Sequence, residues 1–203
     1  MRRSCSLARA AIAGLNHDMS AKPALRKIVR EKIARLTPLE IAEKSARICG
    51  IIGQMPEWKT ARVICLFAPL HGEPDVELLI TGDRRVCYPR VNGNELDLYY
   101  VHDPQVMEQS RWGIREPQAD ALRAADPGDI DLIFVPGIAF TRAGGRLGRG
   151  AGFYDRLLAR KGWRARKIGV GFDCQLVDEL PAEAHDHELD CVVTESGLNS
   201  VKF

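Results

Sequence analysis

The amino-acid sequence predicts an α/β fold: a single-domain, three-layer sandwich with a mostly parallel central sheet, Rossmann-like in plan. Three observations carry that expectation. Two amphipathic helical segments come first in the chain. From residue 63 onward the pattern changes to short, wholly apolar, β-prone runs, which suit strands covered on both faces better than a half-wet antiparallel sheet. One of these runs ends in Pro136-Gly137 and leads through a glycine-rich stretch into a helical pattern. Open α/β sheets place their ligands beyond the carboxyl ends of such strands.

The elements follow in order. Leu25, Ile28, Val29, Ile33 and Leu36 keep one side apolar while Arg26, Lys27, Arg30, Glu31, Lys32 and Arg35 fill the rest, predicting a helix that begins near Pro23. Thr37-Pro38-Leu39-Glu40 reads as a capping box with proline at the first helical position, opening a second helix of about five turns along the stripe Ile41, Ser45, Ile48, Ile52, Met55. Strands are expected at Val63 to Phe67, Val86 to Tyr88, Leu96 to Val101, Leu132 to Val135, Ile168 to Phe172 and Cys191 to Val193. Shorter helices fit Asp75 to Ile80 and Gly152 to Lys161, and Asn92-Gly93 signals a hairpin turn.

Composition narrows the function classes. The 203 residues suit one large domain with its own apolar core. Their 29 basic and 27 acidic side chains are mixed rather than blocked, giving a formal charge of +2 and no nucleic-acid footprint. No apolar run approaches the roughly 18 residues of a membrane-spanning helix. The six cysteines form no Cys-x-x-Cys pair, which speaks against a zinc site or a disulfide framework. A cytoplasmic monomer acting on small molecules is expected. Residues 1–18, rich in Arg, Ala and Ser with no acidic group before Asp18, read as an N-terminal extension or a targeting segment, and residues 19–203 as the domain.

The chemistry concentrates in Gly144-Gly145-Arg146-Leu147-Gly148-Arg149-Gly150-Ala151-Gly152-Phe153-Tyr154-Asp155-Arg156. Glycines permit positive φ and close backbone approach, a helix start presents unpaired N–H groups, and Arg142, Arg146 and Arg149 supply forked donors matched to phosphate oxygens. A bound nucleotide is the expectation, although neither the P-loop nor the dinucleotide fingerprint is present. Asp155 sits where bound phosphate would repel it unless a cation lies between them, so it either holds magnesium or complements the helix dipole. Phe153 and Tyr154 either pack in the core or stack on a flat ligand. The run His185-Asp186-His187-Glu188 is either a metal cluster or an exposed acidic loop.

The stretch from Pro136 to Arg156 closely resembles the signature of the 5-formyltetrahydrofolate cyclo-ligase (methenyltetrahydrofolate synthetase) family. Further stretches resemble it in the right order: Lys22-Pro23-Ala24-Leu25-Arg26, Glu73-Pro74-Asp75-Val76, Tyr88-Pro89-Arg90 and Trp112-Gly113-Ile114-Arg115-Glu116-Pro117. The similarity runs over residues 20 to 195. It implies an α/β sandwich enzyme that uses ATP and Mg2+ to close 5-formyltetrahydrofolate into 5,10-methenyltetrahydrofolate, with ADP and phosphate released through a phosphorylated formyl intermediate.

Residue by residue, the resemblance implies that Lys22 and Arg26 meet ATP phosphates, and that Arg146, Leu147, Gly148, Arg149, Gly150, Ala151, Gly152, Phe153 and Tyr154 wrap the nucleotide. Arg149 and Lys22 would be catalytic. Glu73, Trp112 and the segment from Arg149 through Gly150, Ala151 and Gly152 to Phe153 would contact the folate, and Asp155 with Asp190 would bind magnesium. Without the resemblance, Lys22 and Arg26 read as a solvated helix face, Glu73 as a surface acid, Asp190 as a strand cap and Trp112 as a core residue. The chain departs from the family at Phe153, where Tyr is common, at Ala151, where Gly or Lys is usual, and at Val76, which replaces a common Thr. Two other readings share the architecture: a non-catalytic folate or nucleotide sensor, and a sugar-phosphate isomerase or acyl-transfer enzyme.

Overall fold

The structure is a computed structural model that describes residues 21–181 and 187–200. The proposed extension at 1–18, together with His185 and Asp186, lies outside the described residues. Helix α1 spans Ala21–Ile33, α2 Pro38–Gln54, α3 Pro56–Thr60 and α4 Phe153–Ala159. Strands β1 (Val63–Cys65), β2 (Arg85–Asn92), β3 (Glu95–Tyr100), β4 (Glu108–Gln109), β5 (Arg115–Glu116) and β6 (Leu132–Pro136) precede α4, together with β7 (Ala139–Thr141) and β8 (Arg146–Leu147). After it come β9 (Arg166–Val170), β10 (Leu176–Val177), β11 (Cys191–Thr194) and β12 (Gly197–Ser200). Among the described residues no helix is long and apolar enough to cross a membrane.

The main sheet has seven strands in the order β12-β11-β9-β6-β1-β2-β3. Neighbours from β11 to β2 run parallel, and an antiparallel hairpin closes each edge, β2–β3 on one side and β11–β12 on the other. From β1 the chain first builds outward to β2 and β3, then returns to lay β6 on the other flank of β1. The gap between β1 and β6 is therefore the topological switch point, where a crevice opens beyond the carboxyl ends of the strands. Asp131 fixes the opposite end, its carboxylate accepting from the N–H groups of Arg62 at 2.7 Å and Val63 at 2.9 Å.

Alternation along the strands sorts side chains into two cores. On one face Ile64, Leu132, Phe134, Ile168 and Val193 pack with Ile48 and Ile52 of α2 and Trp58 of α3. On the other, Cys65, Ile133, Val135 and Val192 pack with Leu157 and Leu158 of α4. The result is the expected three layers. The capping box that starts α2 is complete, with Glu40 N–H bonded to Thr37 Oγ1 at 3.2 Å and Thr37 N–H to Glu40 Oε2 at 2.8 Å.

Three features differ from the sequence reading. Residues 75–80 form only a 3₁₀ turn, Val76–Leu79, capped by Asp75. The β2–β3 register pairs Asn92 with Glu95, so the two turn residues are Gly93 and Asn94, with the positive φ of 60° at Gly93. The edge strand β12 and the small sheet β10-β7-β8 carry too few residues to show a periodicity. The five described cysteines are free thiols; Cys65 and Cys87 lie in register on neighbouring strands and are buried.

The small sheet connects the core to the crevice. Its strand β7 carries Phe140, fully buried, and a Cβ at Gly137, Gly169 or Gly171 would come within 2.6 to 3.0 Å of that ring. Gln175, also buried, donates to the carbonyls of Gly137 at 2.7 Å and Ile138 at 3.1 Å, pinning the chain where it leaves β6. α1 covers this sheet through Leu25 and Val29 against Ile138, Ala139 and Leu147. Phe140→Ala is expected to cost about 3–5 kcal/mol, the range for a fully buried aromatic truncated to alanine. Urea unfolding with an unchanged midpoint would show that the ring does not support the strand end.

Candidate active site

A cavity of about 340 Å³ opens at the switch point. Its floor comes from the residues just past β1 and at the end of β6, Phe67, Ala68, Pro136 and Gly137. One wall is the loop from Gly148 into α4, a second is the segment Leu70 to Glu73, and a third is the β4–β5 hairpin. That size suits a drug-sized ligand or the ring end of a longer one.

Arg146 builds the first wall. Its guanidinium, 4% exposed as a side chain, donates to Pro136 O at 3.1 Å and to Asp155 Oδ1 at 2.5 Å, and stands 5.6 Å from the Tyr154 ring centre. It thereby ties the end of β6 to the first turn of α4. A Cβ at Gly148 would lie 2.9 Å from this guanidinium, so a larger residue there would push the Arg146 head from its place. Gly150 and Gly152 have φ of 113° and 71°, which other residues rarely adopt. Arg26 reaches from α1 to Gly148 O at 2.9 Å, and Arg156 holds Ala151 O at 3.0 Å, so the loop's outward bends are braced from both sides.

Arg149 and Glu73 form the charged centre. Glu73 is buried; its Oε2 accepts from Leu70 N–H at 2.9 Å and its Oε1 from Arg149 Nη2 at 2.8 Å and Nε at 3.2 Å. Arg149 remains 47% exposed as a side chain. The pair thus has one anchored partner and one that can move. Trp112 lies on the connection between β4 and β5, where Ser110 N–H bonds Ile114 O and Gly113 has φ 73°. Its indole is 57% exposed, lines the cavity, and presents a flat apolar face at the mouth. Burial pushes the Tyr154 phenol well above its ordinary pKa, which keeps it a neutral hydroxyl at ordinary pH.

The structure brings Glu73, Trp112, Gly148, Arg149, Ala151, Gly152, Phe153, Tyr154 and Asp155 to one cavity, with Arg146 behind them. Other sequence candidates fall elsewhere. Leu147 is a buried core residue against α1. Arg142 turns away to Asn199 on β12. Arg146 spends donors inside the protein, so its place is that of a positioning residue. Lys22, half-buried, lies one turn before Arg26 on the same stripe of α1 and outside the cavity wall.

The largest correction concerns Asp190. It precedes β11 at the amino end of the sheet, where its carboxylate accepts from Lys167 N–H at 2.6 Å and its own N–H donates to Lys167 O. The cavity lies past the carboxyl ends of the parallel strands, so the pairing of Asp190 with Asp155 does not occur; the side chain is a strand cap. Arg115 and Glu116 were visible only as part of a motif. The signal for them was the charged pair inside Trp112 to Pro117, but a two-residue strand has no period that says which charge faces inward.

Fold and site together define an α/β enzyme whose cleft, at the switch point of a mostly parallel sheet, sets a braced glycine-arginine loop against a buried glutamate and an open tryptophan. A family profile described as the 5-formyltetrahydrofolate cyclo-ligase family matches residues 18–195, and the chain belongs to that family. Among its relatives, the 5-formyltetrahydrofolate cyclo-ligase of Escherichia coli K12 is 33% identical over 178 residues, covering 83% of this chain and 97% of that protein. That of Mycolicibacterium smegmatis is 37% identical over 144 residues, covering 66% and 74%. In structure, the chain is similar to the 5,10-methenyltetrahydrofolate synthetase of Aquifex aeolicus, with a TM-score of 0.79 and 35% identity over 90% of this chain and 93% of the other.

Replacing Arg146 by Met removes the tie between β6 and α4 while keeping the bulk. The expected loss is about 1.5–3 kcal/mol, the range for hydrogen bonds to charged groups. Arg146→Lys should recover part of it, since an ammonium cannot fork to two acceptors in one plane. Equal urea midpoints for all three proteins would remove this role.

Proposed function

We propose that this enzyme cyclises 5-formyltetrahydrofolate to 5,10-methenyltetrahydrofolate at the expense of ATP. The observation that carries the reading is the meeting of Arg149 and Glu73 within one cavity, because it joins a phosphate-seeking cation to a carboxylate suited to a nitrogen-rich ring. Family membership supports the same reaction. A phosphate that approaches the loop competes with Glu73 for Arg149, and a half-exposed arginine can make that exchange at low cost.

The formamide on N5 is inert because its oxygen is a poor leaving group. In the proposed sequence the formyl oxygen attacks the γ-phosphorus, the bond from that phosphorus to the bridging oxygen breaks, and ADP departs. The resulting iminium phosphate carries an electrophilic carbon. N10 attacks that carbon and loses its proton, and the carbon–oxygen bond to phosphate breaks, leaving the methenyl bridge between N5 and N10. The reaction requires no covalent enzyme intermediate.

The chain's part is placement and charge. Arg149 neutralises the transferring phosphoryl group, and Lys22 and Arg26 hold the nucleotide's phosphates from α1. Glu73, fixed by Leu70 N–H, orients the reduced ring, and Trp112 covers it. Phe153 and Tyr154 line the cavity between them.

Asp155 fits magnesium: it offers a hard oxygen, and with Oδ1 held by Arg146 its other oxygen is left for a cation. Among the described residues no three His, Cys, Asp or Glu gather, which suits an ion completed by phosphate oxygens and water. When bound, such an ion would offset charge on the nucleotide's phosphates.

Mixing the purified protein with 5-formyltetrahydrofolate, ATP and magnesium should raise the methenyl chromophore, with ADP formed in equal amount. Conversion at the same rate without ATP would refute the proposal, as would ADP release with no methenyl product. Arg149→Ala should lower kcat by about 10²–10³-fold, the scale of a lost transition-state donor. Asp155→Asn should raise the magnesium concentration needed for half-maximal rate, and an unchanged magnesium titration would assign the carboxylate to Arg146 alone.

A further inference from the structure

Glu116 on β5 is an enclosed residue whose carboxylate faces the cleft without a protein donor. It is 5% exposed, and it forms part of the wall of two adjoining cavities: the active site and a second of about 310 Å³ bounded by Arg90, Glu108, Arg111 and Trp112. Among the described residues no group donates a hydrogen bond or forms an ion pair with its side chain. The carboxylates around it are occupied. Glu73 holds Arg149 and Leu70 N–H, Asp155 holds Arg146, and Glu77 accepts from Tyr88 Oη at 3.0 Å and Arg115 Nη2 at 2.5 Å.

The local register adds to the strain on this position. β4 and β5 pair Glu116 directly with Glu108, and like charges in that arrangement are destabilising. The Glu116 oxygens open onto the cleft, while Glu108 takes a donor from Gln118 Nε2 at 2.9 Å. A bound ligand that supplies donors to Glu116 would offset the repulsion.

Resting on the cyclo-ligase reading above, the chemistry of the two substrates selects which ligand group that is. A carboxylate is acceptor-only and has two oxygens side by side, so it matches two adjacent N–H donors. The adenine edge alternates donor and acceptor, and phosphates and glutamate carboxylates are anions that Glu116 would repel. The reduced pterin carries an amino group at C2 next to N3–H, two donors on one edge. We propose that Glu116 is a specificity-determining residue that accepts both of these hydrogen bonds from a pterin ring held against Trp112.

The test pairs an isosteric variant with an altered ligand. For Glu116→Gln the KM for 5-formyltetrahydrofolate should rise roughly 10- to 150-fold, the loss of a hydrogen bond to a charged group, while the KM for ATP stays unchanged. An analogue with methyl in place of the 2-amino group should bind the wild-type enzyme more weakly than 5-formyltetrahydrofolate by a similar factor, measured by quenching of tryptophan fluorescence. The variant should bind the two alike. An unchanged folate KM in Glu116→Gln, or a wild-type enzyme that binds analogue and substrate equally, overturns the assignment. If the variant does not fold, the comparison of the two ligands on the wild-type enzyme decides. A wild-type enzyme that fails to cyclise the natural substrate overturns the functional reading instead, a result distinct from active wild-type enzyme with an indifferent Glu116.

Discussion

The site depends on one buried guanidinium. Arg146 grips the last carbonyl of β6 with one nitrogen and the carboxylate of Asp155 with another, so the end of the central strand and the start of α4 cannot move independently. Both anchors are needed for the loop between them to have a defined shape, because Gly148, Gly150 and Gly152 supply little rigidity of their own. Arg26 and Arg156 then fix the loop's carbonyls from outside. Arg146 and Arg156 therefore spend their charge on architecture, Arg26 gives the loop only its Nε–H, and Arg149 is left exposed to meet a ligand.

That division explains how a site crowded with cations stays ordered. Like charges would repel if each arginine faced the cavity, whereas here Arg146 is neutralised by Asp155 and Arg149 by Glu73. The two pairs differ in accessibility. Arg146 is shielded from water, and its pairing is part of the folded framework; Arg149 is close to half exposed, and solvent weakens its attraction to Glu73. The fold thus separates a permanent ion pair from an exchangeable one a few residues apart in sequence. On the far side of the cavity the pattern reverses, with Glu116 enclosed and without a partner.

Legibility followed the length of each signal. The capping box of α2, the apolar runs of β1, β6, β9 and β11, and the placement of the glycine-rich stretch after a central strand were all readable, because each rests on a local periodicity or a local steric rule. The 3₁₀ turn at Val76–Leu79, the two-residue strands β4 and β5, and the edge strand β12 were not, because such short pieces form where neighbours supply the hydrogen bonds. In the site, Glu73, Trp112, Arg149 and Asp155 were found through motifs. The fates of Arg142 and Leu147 were not, since partners far along the chain, Asn199 on β12 and the residues of α1, leave no mark on a local pattern; Asp190 read from its residues alone as a strand cap, and the structure makes it one.

By itself, then, the sequence determined the α/β architecture, the strand that leads into the binding loop, and the residue types gathered there, all of them properties of segments short enough to carry their own rule. Only the tertiary structure decided which charges serve the framework and which face the ligand. Arg146 and Arg149 are both arginines beside glycine, but one is enclosed by β6 and α4 and the other is not. Asp155 and Asp190 are both carboxylates at the ends of elements, but the parallel sheet puts its two ends on opposite sides of the molecule, so only one of them reaches the crevice.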